Sequence, residues 1–227
     1  MDQLAPEAGA DLGNTEVTGT DEGRTARKRR AILSAAAESF LQHGYLGASM
    51  DEVAARAAVS KQTVYKQFTD KEHLFAEVIL GSNAQLGARL ATLYGALDEA
   101  TNAAAALRAL ARRFAADICR PDVVQLRRLV LAEADRFPSV SGAWFEDGFQ
   151  RSLHLLGAAL SRMADRGLLR ELADPTLTAY QFAGLVMYKP MNQLMFAGTA
   201  ARPDDDELTR IADQAVEVFL AAYGPAR

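Results

Sequence analysis

Residues 57–68 read AAVSKQTVYKQF. A short alanine-rich helix closes near Val59, and a new one opens at Ser60, a residue type whose side chain caps helix N-termini. On a wheel of about 100° per residue, only Val64 and Phe68 define a buried side, with Lys61 at its margin. Gln62 and Lys66 lie opposite, flanked by Tyr65 and Thr63. A helix docked by two residues turns its amide, ammonium, phenol and hydroxyl groups outward, where they can bond phosphates or base edges. Two short helices joined by a three- or four-residue turn, the second polar and outward, form a helix-turn-helix. The same pattern also suits a pair of short helices in an ordinary bundle.

The chain has 227 residues and a net charge of −4, but the charge is uneven. Residues 1–23 sum to −6, whereas residues 24–72 hold nine basic and five acidic groups and sum to +4. A basic block inside an acidic chain fits a local polyanion contact, and a solvated charged face is the plainer alternative. One cysteine, Cys119, excludes an intrachain disulfide and fits a reducing compartment. No apolar run is long enough to cross a bilayer and the N-terminus lacks the basic-then-apolar order of a secretory signal, so a cytoplasmic protein with no membrane partner is expected. Twenty arginines against five lysines, with abundant alanine, fit a GC-rich bacterial genome.

Outward from the opening stretch, every segment reads as helix, and the fold class is all-α. Residues 1–23 lack periodicity and read as a flexible acidic tail. Ile32, Ala36 and Phe40, with Leu33, Ala37 and Leu41, recur at helical spacing before a stop at Gly44. Ser49 to Glu52 and Thr69 to Glu72 read as capping boxes that open the second and fourth helices. Further helices are predicted over 101–119, 122–136, 139–166, 175–197 and 204–223, about nine in all. The domains are 24–70, a three-helix helix-turn-helix unit, and 71–227, a larger helical unit.

The string GYLGASMDEVAARAAVSKQTVYKQFTDKEHLF, Gly44 to Phe75, resembles the N-terminal DNA-binding domain of the tetracycline-repressor (TetR) family of bacterial regulators. The resemblance spans about residues 25–75. It rests on Phe40, Gly44, Tyr45, Gly47, Ser49, Val53-Ala54, Ala57, Val59-Ser60, Tyr65, Phe68, Lys71-Glu72 and Leu74. It implies double-stranded operator DNA as a partner, with Ser49, Tyr65 and Lys71 on phosphates and Gln62 and Thr63 on base edges, beside Lys61 and Lys66. Arg24, Arg27, Lys28 and Arg29 would touch the adjacent backbone or minor groove. Two positions depart from the family pattern. Ala58 stands where Gly is usual, so the turn is either strained and left-handed, at about 1–2 kcal/mol, or right-handed. Gln67 stands where an aromatic or His is usual.

The resemblance further implies a C-terminal domain that dimerises and often holds a small effector. VLAEADRFPSV, AWFEDGFQ and ADRGLLRELADPTLTAYQFAGL resemble one recurrent form of that domain. The stripe Ala179, Phe182, Ala183, Val186 with Leu208, Ile211, Ala215, Phe219 suits a four-helix interface in a homodimer, or else the protomer's own core. Phe114, Trp144, Phe145, Phe149, Met163, Met187, Tyr188 and Met191 are candidate linings for a fairly apolar ligand. Pro190 should kink or end its helix.

No P-loop, nucleophile elbow, dinucleotide fingerprint or metal-ligand spacing occurs, so no enzyme, cofactor or metal site is expected. Cys119 reads as a buried small hydrophobe. The function expected is a homodimeric, ligand-released repressor, in which the ligand shifts the fourth helix, loosened by Gly81 and Gly87, and so changes the spacing of the two recognition helices. An activator or effector-independent regulator, and a helical ligand-binding or interaction protein without DNA binding, stand as alternatives.

Overall fold

In the computed structural model, which describes residues 17–225 with side chains from residue 23, the first helix, α1, spans Val17–Gly47. Its first turns fall inside the stretch expected to be a tail; the rest of that expectation, residues 1–16, lies outside the described residues. The α1 backbone breaks at Gly44 (φ 68°, ψ 175°), a conformation open to glycine, which is where the sequence placed the stop. Next come α2 (Met50–Arg56), α3 (Lys61–Gln67) and the long α4 (Lys71–Gly95). The α4 cap lies one residue later than expected: Asp70, not Thr69, accepts the His73 N–H at 2.7 Å. A carboxylate there also meets the positive end of the helix dipole.

The larger unit continues with α5 (Ala103–Ile118), α6 (Pro121–Ala132), α7 (Pro138–Ala143), α8 (Arg151–Asp165), α9 (Pro175–Ala197) and α10 (Asp205–Tyr223). Asn102, Asp174 and Asp204 cap α5, α9 and α10 by accepting the N–H groups of Ala105, Leu177 and Glu207. A π-helical segment, Trp144–Gln150, joins α7 to α8 into one rod, so the described residues form nine continuous rods and no strand. Pro190 does not end α9, which runs on to Ala197.

Two apolar cores result. One lies among α4, α5 and α8 to α10 and includes Phe114, Leu156, Phe182 and Phe219. The other sits under the helix-turn-helix, and α6 and the start of α7 contribute to it: Leu129, Val130 and Phe137 pack with Phe40, Tyr45, Val64, Phe68 and Phe75. Phe137 meets Tyr45 edge-on at 4.6 Å and lies 5.2 Å from Phe75 between centroids. The helix-turn-helix end is therefore finished by residues from the other unit.

Candidate nucleic-acid interface and effector cavity

The helix-turn-helix is held by short-range chemistry. Ser49 Oγ accepts the Glu52 N–H at 3.2 Å, which caps α2. The Glu52 carboxylate does not return to Ser49. It accepts from Ser39 Oγ at 3.0 Å and Arg56 Nε at 2.8 Å, and His43 Nε2 lies 3.2 Å away, so α2 is fastened to α1. Partial burial pushes the Glu52 pKa up, but the Ser39 and Arg56 hydrogen bonds outweigh it and hold the carboxyl below its ordinary value.

The turn takes the left-handed form. Ala58 has φ 52°, Val59 N–H reaches Ala54 C=O at 3.1 Å, and Ala58 N–H reaches Ala55 C=O at 3.2 Å. That pair of bonds is a Schellman motif, and its last residue, Val59, is half-buried against the helix-turn-helix core. Ser60 then caps α3, its Oγ accepting the Thr63 N–H at 3.1 Å.

Val64 and Phe68 are fully buried, while Gln62, Tyr65 and Lys66 face solvent. Thr63 is half-buried and its hydroxyl lies 2.8 Å from Ser60 Oγ. Lys61 is paired with Asp51 at 2.7 Å, and that contact holds its pKa above the ordinary lysine value. Arg29 pairs with Glu77 at 2.8 Å and lies over the Phe68 ring. Arg27, Lys28, Arg30 and Lys66 are exposed and have no ion pair among the described residues.

Lys71 was expected on a phosphate, but its ammonium is engaged inside the domain. It donates to the carbonyls of Tyr45 and Ala48 at 2.9 Å and points to that of Leu46 at 3.5 Å, over the Tyr45 ring. These contacts satisfy carbonyls that the break in α1 leaves without helical partners.

A small cavity, with an enclosed volume of ≈ 40 Å³, opens between α4, α5, α6, α8, α9 and the π-helical segment. Four expected residues line it: Phe114, Trp144, Phe149 and Met187. The other four do not. Met163 and Met191 are core residues, Phe145 stacks on the outside of Phe149, and Tyr188 projects from the outer face of α9. Wheel periodicity gives the angle between residues, not which angle faces a void.

The sequence reading also missed Asn83 and Arg127. Asn83 is buried on α4, and its amide donates to the Trp144 carbonyl at 3.1 Å. Arg127 lies on α6 three residues from each of Val124 and Val130, both buried, and that register was its signal. Cys119 is buried, and burial pushes its thiol up to about 11, so it is neutral and unreactive near pH 7.

The stripe expected at a dimer interface is buried within the protomer. Ala179, Phe182, Ala183, Val186, Leu208, Ala215 and Phe219 are buried in the larger core, and Ile211 is half-buried. The most apolar stripe of each helix went to its own chain. Left outward on α9 and α10 are Leu177 (54% exposed), Leu185 (41%), Tyr188 (75%), Phe196 (87%) and Val218 (56%).

A helix-turn-helix whose core is completed by a cavity-bearing helical unit defines a DNA-binding transcriptional regulator. Residues 32–78 match the model for bacterial regulatory proteins of the tetR family, and residues 105–225 match that for the AefR-like transcriptional repressor C-terminal domain. The chain belongs to the TetR family of transcriptional regulators, which are not enzymes. A TetR-family regulator from Mesorhizobium loti MAFF303099 is similar over 88% of this chain and 98% of its own, with 43% identity and a TM-score of 0.84. The flavonoid-responsive regulator FrrA is similar over 89% and 100%, with 26% identity and a TM-score of 0.65. The HTH-type regulator YhgD of Bacillus subtilis is 47% identical over 51 residues, 22% of this chain and 27% of its own. The chain thus spans about a quarter of the length of the curated relatives it matches. Among the described residues no helix is long and apolar enough to cross a membrane.

Proposed function

We propose that the chain is a cytoplasmic, homodimeric repressor that grips a palindromic operator through α3 and is released when a small ligand enters the α4–α9 cavity. The observation that carries this reading is the shared core: the helices that line the cavity also build the DNA-binding end. Asn83 and Gly87 line the cavity from α4, while Leu74, Phe75 and Ile79 of the same helix are core residues of the helix-turn-helix. Arg127 lines it from α6, while Leu129 and Val130 belong to that same DNA-binding core. A ligand that binds one arrangement of α4 and α6 better than another shifts the population between them. The match to a repressor-type C-terminal domain supports the sign of regulation.

On DNA, Gln62 is the base-edge residue of α3, with Tyr65, Lys66, Ser49 and Arg27 on phosphates. The outward face of Leu177, Leu185, Tyr188 and Val218 is the dimer surface, and pairing it sets the two α3 helices apart to read two half-sites. Fluorescence anisotropy on the DNA upstream of the chain's own gene tests the assignment. Tyr65→Ala and Lys66→Ala should each weaken binding at least tenfold with the fold intact, and unchanged binding in both would remove α3 from the interface.

A further inference from the structure

The lining of the cavity is apolar on most sides, with Leu90, Phe114, Leu153 and Met187, yet it holds one charged side chain, Arg127. The guanidinium lies 5.3 Å over the Trp144 ring and 5.9 Å over the Phe149 ring. Its buried Nε has no hydrogen-bond partner, and no carboxylate pairs with it among the described residues. Burial pulls its pKa below the ordinary arginine value, and the Cys119 thiol that bears on it is neutral. The buried Trp144 Nε1–H, on the same wall, also lacks a partner.

A half-buried cation with no counter-charge among the described residues is costly, and cation–π contact offsets only part of that cost. Both orphan groups are pure donors, so what completes them is a pure acceptor. A neutral acceptor such as a ketone would fill the hydrogen bonds but leave the charge uncompensated; a carboxylate does both, and its two oxygens match the guanidinium fork. The other polar linings, Asn83 and Ser152, are uncharged, so a second charge on the ligand would find no counter-charge there.

We propose that the cavity is an anion receptor: its ligand is a monocarboxylate on a compact apolar body, held by the Arg127 guanidinium and the Trp144 indole N–H. This rests on the effector-cavity reading above and gives that effector its chemical class. Such a ligand would act where α6 meets the π-helical segment, two residues before Leu129 enters the DNA-binding core.

Titration calorimetry with 1-naphthoate and its uncharged counterpart 1-naphthamide tests the proposal, using the full chain and the variants Arg127→Met and Arg127→Lys. The wild-type protein should prefer the acid to the amide at least tenfold. Arg127→Met, which keeps the stem and removes the charge, should lose that preference while still taking the amide, which also shows that its cavity is folded. Arg127→Lys should retain part of the preference. Equal affinity for acid and amide in the wild type, or a preference that survives Arg127→Met, overturns the anion receptor while leaving an effector cavity in place. If neither probe binds, the proposal fails, and if in addition neither displaces operator DNA, the cavity reading loses its support as well.

Discussion

The Asn83 side-chain amide donates a 3.1 Å hydrogen bond to the Trp144 backbone carbonyl, which ties α4 to the π-helical turn on the cavity wall. Gly148 backs the same contact so closely that a Cβ there would lie 2.0 Å from Asn83 Oδ1. π-Helical turns distort the helix and recur at functional sites. Here the distortion presents a carbonyl to the helix that carries the DNA-binding end, so Asn83 adds a hydrogen bond to the apolar contacts by which α4 lines the cavity.

Asn83→Ala should lower stability by about 1–3 kcal/mol, because a buried amide pairing is lost. Gly148→Ala should cost about 1–3 kcal/mol by forcing the Asn83 side chain aside. In the double variant the truncated side chain at position 83 vacates the contested space. The combined loss in urea denaturation should therefore fall well short of the sum, and additivity would show that the two residues do not share the contact.

Lys66 and Lys71 should separate cleanly. Lys66→Ala removes an exposed charge that has no ion pair among the described residues and should reduce the salt dependence of DNA binding by about one ion equivalent with little change in melting temperature. Lys71→Ala leaves the Tyr45 and Ala48 carbonyls unmet and should lower stability by about 1–3 kcal/mol. Thermal melts beside salt-titrated anisotropy check both.

Ala58→Gly should stabilise the protein. Relief of the left-handed alanine is worth about 1–2 kcal/mol. The added freedom of the unfolded chain returns about 0.4–1 kcal/mol of that. A small net gain in chemical denaturation is expected, and a loss would show that the turn holds Ala58 without strain.

Tyr94 sets an alkaline limit. Its hydroxyl lies 3.0 Å from Ser152 Oγ, and burial pushes its pKa from 10.0 up to about 12 against that hydrogen bond. Its contribution is fully present below pH 10; as pH rises through that value the unfolded chain ionises first, and the loss is complete above about pH 12. The full effect is about 2–3 kcal/mol. Tyr94→Phe should remove this part of the alkaline slope, measured against Cys119→Ala, which removes the thiol's share.

The helix-turn-helix was legible in the sequence because its determinants are local. Ser49 and Ser60 cap groups three residues away, and Val64 and Phe68 are neighbours on one turn. The role of Lys71 was not legible, since the carbonyls it holds lie 23 to 26 residues back, just after the break in α1. Periodicity marked Phe182 and Phe219 as apolar-face residues, but whether a face is covered by its own chain or by a second copy depends on tertiary packing. Arg127 was hidden because a charged residue on a buried register reads as noise until the cavity beside it is seen.

Operator selection from random duplex DNA tests the central claim most directly, run with the wild-type protein and with Leu185→Glu on the outward face of α9. The wild type should enrich a pseudo-palindrome whose half-site centres lie about one helical turn, or a multiple of it, apart. Leu185→Glu should remain folded, sediment as a monomer and enrich no palindrome. Failure of the wild type to enrich any sequence, or enrichment of a single unrepeated half-site, would contradict a dimer that reads DNA through paired α3 helices.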